Sequence, residues 1–271
     1  MQNRRQYPEP LEALIIILSI FAFLIISIYV LSALNNGDLS SPETIISNSR
    51  YFFIFGGSLF LVVPLIYAWI RKFPIRPLFR FNPVPAEVLL LGISIGLSLA
   101  VLGDELDRLI GLIITVPDWI YEMMYPLKAE TSSEWLLIIL GAVVVASVAE
   151  ETLFRGFLQT ALERKGDATR AVLFSSLAWT LVHQNPYWAI GIFVLGVVIG
   201  YLAWRTDSII LPVLVHAINN LLSVMVLNTD NLSDKMGWYE WNRHVAPVVL
   251  VIAVGVLYWS LRRLHLFYQT K

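Results

Sequence analysis

The sequence contains no cysteine among its 271 residues, and only 14% of those residues are charged. The absence of cysteine excludes disulfides, thiolate metal ligands and thiol nucleophiles. The formal net charge is −1, so the chain lacks the basic character by which proteins bind nucleic acid, and we expect no nucleic-acid partner. Imidazole chemistry can draw on four histidines alone, which are His183, His216, His244 and His265.

Apolar residues dominate instead. They make up 57% of the chain, and the mean hydropathy is +0.70, whereas soluble domains are nearer 45–50% apolar and about 25% charged. A membrane-spanning helix needs about 20 mostly apolar residues. The sequence therefore predicts an all-α polytopic membrane protein with one integral-membrane domain over 1–271. About eight transmembrane helices are expected, at roughly 11–34, 51–70, 87–103, 134–163, 169–185, 188–204, 208–227 and 245–261.

The distribution of lysine and arginine supports this count. With the N-terminus in the cytoplasm and the chain reversing at each span, thirteen basic residues fall in cytoplasmic segments and five fall outside. Cytoplasmic segments of membrane proteins carry such an excess of positive charge. We therefore predict that both termini are cytoplasmic and that the protein is a multi-pass integral membrane protein.

The fourth predicted span holds three charged residues at a depth where charge is costly: Glu150, Glu151 and Arg155. Glu151 and Arg155 are four residues apart and share one face of a helix, so they can pair. A structural ion pair is the simplest interpretation of those two residues. It does not account for Glu150, which points about 100° away from Glu151 around the helix axis.

Three more polar side chains occur in neighbouring spans. His183 lies near the end of the fifth span, while His216 and Asn220 share one face of the seventh. With 1.5 Å of rise per residue, Glu150 and His183 lie ~21 Å deep, His216 ~12 Å and Asn220 ~18 Å. We expect the four groups to meet in one layer. The alternative is that each is a separate packing residue or interhelical hydrogen bond.

Such a group of side chains has a definite chemistry. A carboxylate with an imidazole can bind and deprotonate a water molecule, or hold a metal ion that does so. A second imidazole and a carboxamide can donate hydrogen bonds to a developing oxyanion. Together they suit the hydrolysis of an amide bond inside the membrane.

The same residues resemble the signature of a known family, the CAAX-protease and bacteriocin-processing intramembrane proteases, which include the type II CAAX prenyl endopeptidases. The family motifs are EExxxR, FxxxH and HxxxN. Glu150, Glu151 and Arg155 match the first motif, and His216 with Asn220 match the third. The second is matched by the segment ending at His183, with Trp179 in place of phenylalanine. The motifs cover residues 150–220, within a motif-bearing core at about 134–227.

The resemblance implies an endopeptidase that cuts a membrane-anchored or lipidated substrate, such as a prenylated CAAX-type protein, in contact with membrane lipid. It implies that Glu150 activates a water with help from His183. It also implies that His216 and Asn220 form the oxyanion side. The supporting residues would be Glu151, Arg155 and Trp179.

The resemblance leaves open whether zinc takes part in the reaction. A catalytic zinc needs about three protein ligands and a water molecule. Glu150, His183 and His216 could supply them, with Glu151 as a substitute. A glutamate-activated water without a metal is the other form of the same hypothesis.

Two other classes of function are alternatives to the protease interpretation. Buried Glu and His side chains also form the relays of proton-coupled transporters, although the sequence has no inverted repeat. A non-catalytic immunity or scaffold protein of the same fold is the other alternative. Intramembrane metalloproteases of the HExxH class are disfavoured because the sequence has no HExxH motif.

Overall fold

The computed structural model describes residues 6–34, 42–229 and 237–269. Helices account for nearly all of its regular structure. They are α1 Pro10–Leu34, α2 Pro42–Arg71, α3 Ile75–Leu78, α4 Ala86–Gly111, α5 Asp118–Glu122, α6 Ser132–Glu163, α7 Ala168–Val182, α8 Ala189–Thr206, α9 Ile210–Leu227 and α10 Pro247–Gln269. A 3₁₀ turn covers Tyr125–Leu127, and strands β1 Glu240–Trp241 and β2 His244–Val245 pair as an antiparallel hairpin. The all-α polytopic membrane class is confirmed.

Seven helices among the described residues are long and apolar enough to cross a membrane. The fifth predicted span, 169–185, is the exception, because α7 has 15 residues and ends at Val182. Its end has a local cause. Gln184 adopts a left-handed φ of 50°, and the Asn185 side chain accepts hydrogen bonds from the backbone N–H groups that lead into α8. The expectation of eight spans thus becomes seven long helices and one shorter one.

Helix α4 extends beyond its predicted end at residue 103 and continues to Gly111. Its last two turns carry charge, and Arg108 pairs part of that charge. Arg108 contacts Asp104 one turn earlier, at 3.1 Å, and reaches Glu240 of the hairpin at 3.2 Å. Pairing within the helix and with the hairpin allows polar residues to prolong an apolar helix.

Helix α6 is irregular in a way that its sequence does not reveal. A short α-helical piece, Ala146–Glu151, lies between two π-helical stretches, Ile139–Val145 and Thr152–Leu158. π-Helical turns are rare and occur often at functional sites. Both carboxylates of the first motif therefore lie in the one α-helical segment between two widened ones.

Two apolar clusters surround α6. The first joins α1, α2, α6 and α7, and it includes Phe154, Phe157 and Trp179. The second joins α4, α8, α9 and α10, and it includes Val215 of α9. Because Trp179 belongs to the first cluster and His216 directly follows Val215, the predicted site residues lie where the two clusters meet.

Helix α8 packs closely against the polar face of α6 through two glycines. Arg155 donates a hydrogen bond to the carbonyl oxygen of Gly196 at 3.3 Å, and Gln159 donates to that of Gly200 at 3.0 Å. Small residues four positions apart let helix backbones approach each other in membrane proteins. Here they also expose backbone acceptors to the charged and amide side chains of α6.

Candidate active site

Three side chains form a fully buried charged group between α6 and α9. Glu151 Oε1 accepts hydrogen bonds from Arg155 Nη1 at 3.1 Å and from His216 Nδ1 at 2.8 Å. The side chains of Glu151 and Arg155 are 0% exposed, and that of His216 is 3% exposed. The predicted pair of Glu151 with Arg155 is confirmed. It is not isolated, because the same carboxylate oxygen also holds a histidine of another helix.

The tautomer of His216 follows from this contact. A carboxylate oxygen can only accept, so Nδ1 carries the hydrogen and Nε2 is left for other partners. When Nε2 is protonated as well, the imidazolium can donate from that nitrogen, and the neighbouring carboxylate of Glu151 compensates its charge. The sequence prediction assigned Glu151 only to Arg155 and grouped His216 with Glu150.

Arg155 is held from three sides. Besides Glu151 and the Gly196 carbonyl, its guanidinium lies over the Trp179 ring, 4.4 Å from the ring centroid. Cation–π contacts of this kind are strongest where water is excluded. Within the described residues, Glu151 Oε2 and Arg155 Nε are buried without a hydrogen-bond partner. The group is therefore polar and enclosed by protein.

Glu150 has different surroundings, although it is the next residue. It is half-buried, and its Oε2 accepts a hydrogen bond from Trp179 Nε1 at 2.6 Å. The bond crosses from α6 to α7 and uses the one polar atom of the indole. This contact uses one of the two carboxylate oxygens of Glu150.

The Trp179 ring lies between the two candidate histidines. Its centroid is 4.9 Å from that of His183 and 5.2 Å from that of His216, with edge-on geometry in both cases. His183 caps the C-terminus of α7, and its Nδ1 lies 2.7 Å from the Trp179 carbonyl oxygen. That carbonyl can only accept, so Nδ1 carries the hydrogen and Nε2 can accept a proton. The side chain of His183 is exposed.

Asn220 lies one turn beyond His216 on α9 and is half-buried. Its Nδ2 donates a hydrogen bond to the carbonyl oxygen of Ala142 at 2.9 Å. Ala142 belongs to the first π-helical stretch of α6. An amide nitrogen has two hydrogens, and this contact uses one of them. The other is available to a substrate oxygen.

The structure thus brings Glu150, His183 and His216 into contact with one residue, Trp179. Asn220 is anchored separately to α6. Sequence reasoning missed the indole donor, the contact between His216 and Glu151, and the backbone acceptors on Gly196 and Ala142. Only the first had a signal in the sequence: tryptophan has a ring N–H where the family motif has phenylalanine.

The three residues that could supply zinc ligands do not form a ligand cluster. Across residues 6–34, 42–229 and 237–269, no three His, Asp or Glu side chains are grouped to hold a metal ion. The hydrogen bonds of His216 and His183 use Nδ1 of each ring, and Glu150 is held by an indole at one oxygen. As placed, these side chains are not grouped as a three-ligand metal site.

The fold and these contacts define an integral, multi-pass membrane protein with a buried group of polar side chains between its helices. Residues 132–222 match the model of a family described as type II CAAX prenyl endopeptidase Rce1-like. The matched segment contains all three motifs, so this part of the chain is similar to the CAAX protease family. Protease activity is the activity of that family. No curated protein and no solved structure matches the chain significantly.

Proposed function

We propose that this protein is an intramembrane endopeptidase that cleaves a membrane-associated, lipidated substrate of the prenylated CAAX type by means of an activated water. The observation that carries the proposal is that the carboxylate of Glu150 is hydrogen-bonded to the same indole that the exposed His183 packs against. Glu150 is fixed at one oxygen by Trp179, and His183 stands edge-on to the same indole. A fixed carboxylate beside an imidazole is suited to take a proton from water.

In the proposed reaction, Glu150 accepts the proton of the attacking water, and Nε2 of His183 orients that water. The hydroxide adds to the scissile carbonyl, and the carbonyl oxygen becomes an oxyanion. His216 and the second amide hydrogen of Asn220 stabilise that oxygen. The proton held by Glu150 then passes to the leaving amine as the C–N bond breaks, which restores the carboxylate.

The buried group of Glu151 and Arg155 supports this chemistry without taking part in it. Glu151 fixes His216 through Nδ1, so that Nε2 is directed elsewhere. Arg155 neutralises Glu151 and packs against the Trp179 ring. The proposal uses no step through a metal ion, because the residues as placed are not grouped as a three-ligand metal site.

The test is cleavage of a farnesylated CAAX peptide by purified protein in lipid nanodiscs, with release of the C-terminal tripeptide as the readout. The Glu150→Gln variant keeps the shape of the side chain but cannot accept the proton. We expect a loss of roughly 10²–10⁴-fold in kcat, the usual contribution of a general base. Glu122→Gln is the matched control, because Glu122 is exposed at the end of α5, and it should retain full activity.

Full activity of Glu150→Gln would overturn the role of Glu150. Absence of cleavage by the wild-type protein, for the farnesylated peptide and for its unmodified counterpart, would contradict the peptidase proposal. Proton flux in liposomes that depends on Glu150 would then favour a transporter.

A further inference from the structure

The indole of Trp179 makes the one described hydrogen bond to the carboxylate of Glu150. We propose that Trp179 is a positioning residue that holds this carboxylate in its reactive orientation. The inference rests on the proposed function, since it assigns to Trp179 an effect on the reaction that passes through Glu150. Its basis is the 2.6 Å contact from Nε1 to Oε2, between α6 and α7.

The side chain of Glu150 needs such a partner. A glutamate has several rotatable bonds, and this one is only half-buried, so packing alone does not fix it. An indole nitrogen is a donor and never an acceptor. Its bond therefore selects one carboxylate oxygen, Oε2, and leaves Oε1 for the proposed proton transfer. Phenylalanine at position 179 would provide the ring without the bond.

The indole can hold Glu150 because the ring is itself immobile. Trp179 is 2% exposed, and the Arg155 guanidinium covers one of its faces. On another side α8 approaches so closely that a Cβ atom on Gly196 would lie 3.1 Å from Trp179 Cε3. The edges of His183 and His216 complete the enclosure. The Nε1–H vector therefore has a fixed direction.

Two variants separate the hydrogen bond from the ring. Trp179→Phe removes both the donor and part of the ring, and it can also loosen the packing. Replacement of Trp179 by 3-benzothienylalanine exchanges the N–H for sulfur in a ring of almost the same shape. With this analogue we expect kcat to fall roughly 10- to 100-fold, the equivalent of one hydrogen bond to a charged group. KM should stay within about twofold, and the melting temperature should not change.

A spectroscopic measurement tests the contact independently of activity. The indole N–H resonance of Trp179 is assigned by its loss in Trp179→Phe. It should move upfield in Glu150→Leu, because the carboxylate acceptor is gone. Trp204→Phe is the control: Trp204 is exposed on α8, and its replacement should change neither kcat nor the Trp179 resonance.

The outcomes distinguish the two proposals. If Glu150→Gln is inactive but the benzothienylalanine protein keeps the wild-type kcat, the positioning role of Trp179 is wrong and the proposed function stands. A lower melting temperature with an unchanged kcat assigns Trp179 a purely structural role and likewise overturns the inference. If Glu150→Gln is fully active, the proposed function is wrong, and the positioning role is wrong with it.

Discussion

Two networks that combine arginine, carboxylate and histidine side chains occur in this protein, one inside the helix bundle and one where α4 meets the hairpin. In the first, Arg155 and Glu151 pair within α6, and a histidine from α9 joins them at 2.8 Å. In the second, Arg108 and Asp104 pair within α4, and the hairpin histidine His244 contacts Glu105 at 2.8 Å. The pairs within each helix both measure 3.1 Å.

Burial distinguishes the two. The arginine and glutamate of the inner network are 0% exposed, whereas Arg108 and Asp104 are 26% and 37% exposed. The outer network also has neutral members: burial raises the pKa of the Tyr239 hydroxyl, and its hydrogen bond to Asp104 acts in the same direction, so it stays protonated. Equal distances therefore do not mean equal energies. Removal of one charge has a high energetic cost only where water cannot replace it.

The largest expected effect comes from Arg155→Met, which keeps most of the aliphatic stem but leaves Glu151 as an uncompensated buried charge. Breaking a buried pair in this way typically costs about 3–5 kcal/mol. We expect a large fall in the melting temperature of the purified protein and a matching fall in the free energy of unfolding. A loss below about 1 kcal/mol would indicate that water or another cation reaches Glu151, contrary to its full burial.

A smaller effect is expected from Gly196→Ala, which disturbs the inner network without changing any charge. The added methyl group would lie 3.1 Å from Ser176 Cβ and from the Trp179 ring, so these neighbours or α8 must give way by a few tenths of an ångström. Overpacking of this kind costs about 1–3 kcal/mol. The control is Gly103→Ala in α4, where the methyl group meets nothing within 4 Å and alanine should gain up to about 1 kcal/mol of helix propensity.

Equal melting temperatures for Gly196→Ala and Gly103→Ala would contradict the close approach of α8 to the site. Both glycines lie in helices, so the change in helix propensity is similar in the two variants. A difference between their melting temperatures therefore reports the close packing around Gly196.

The sequence predicts the features that depend on residues close together in the chain. The pair of Glu151 and Arg155 follows from helical spacing, and the membrane helices follow from long apolar stretches. The sequence also indicates the end of α7. Asn185 precedes a proline, and a residue in that position disfavours the helical conformation. The prediction extended that span to residue 185 because apolar length was the only criterion.

The contacts between helices could not be predicted in the same way. His216 and Glu150 were expected to meet because both lie at similar depths, but depth does not specify which face of α6 is directed at α9. The π-helical stretches on each side of Ala146–Glu151 change those faces. As a result the neighbour of Glu150, rather than Glu150 itself, contacts His216.

The smallest effect is expected from Arg108→Met, the outer counterpart of Arg155→Met. Arg108 contacts Asp104, Glu240 and the carbonyl oxygen of Arg243, but water can replace each of these partners. Partly exposed pairs contribute about 0–1 kcal/mol, and salt screens them. We therefore expect a small loss of melting temperature that shrinks further in about 1 M NaCl, where the Debye length is about 3 Å. The loss in Arg155→Met should be independent of salt. If both variants respond equally to salt, the inner network is reached by solvent, and the contrast between the two networks does not hold.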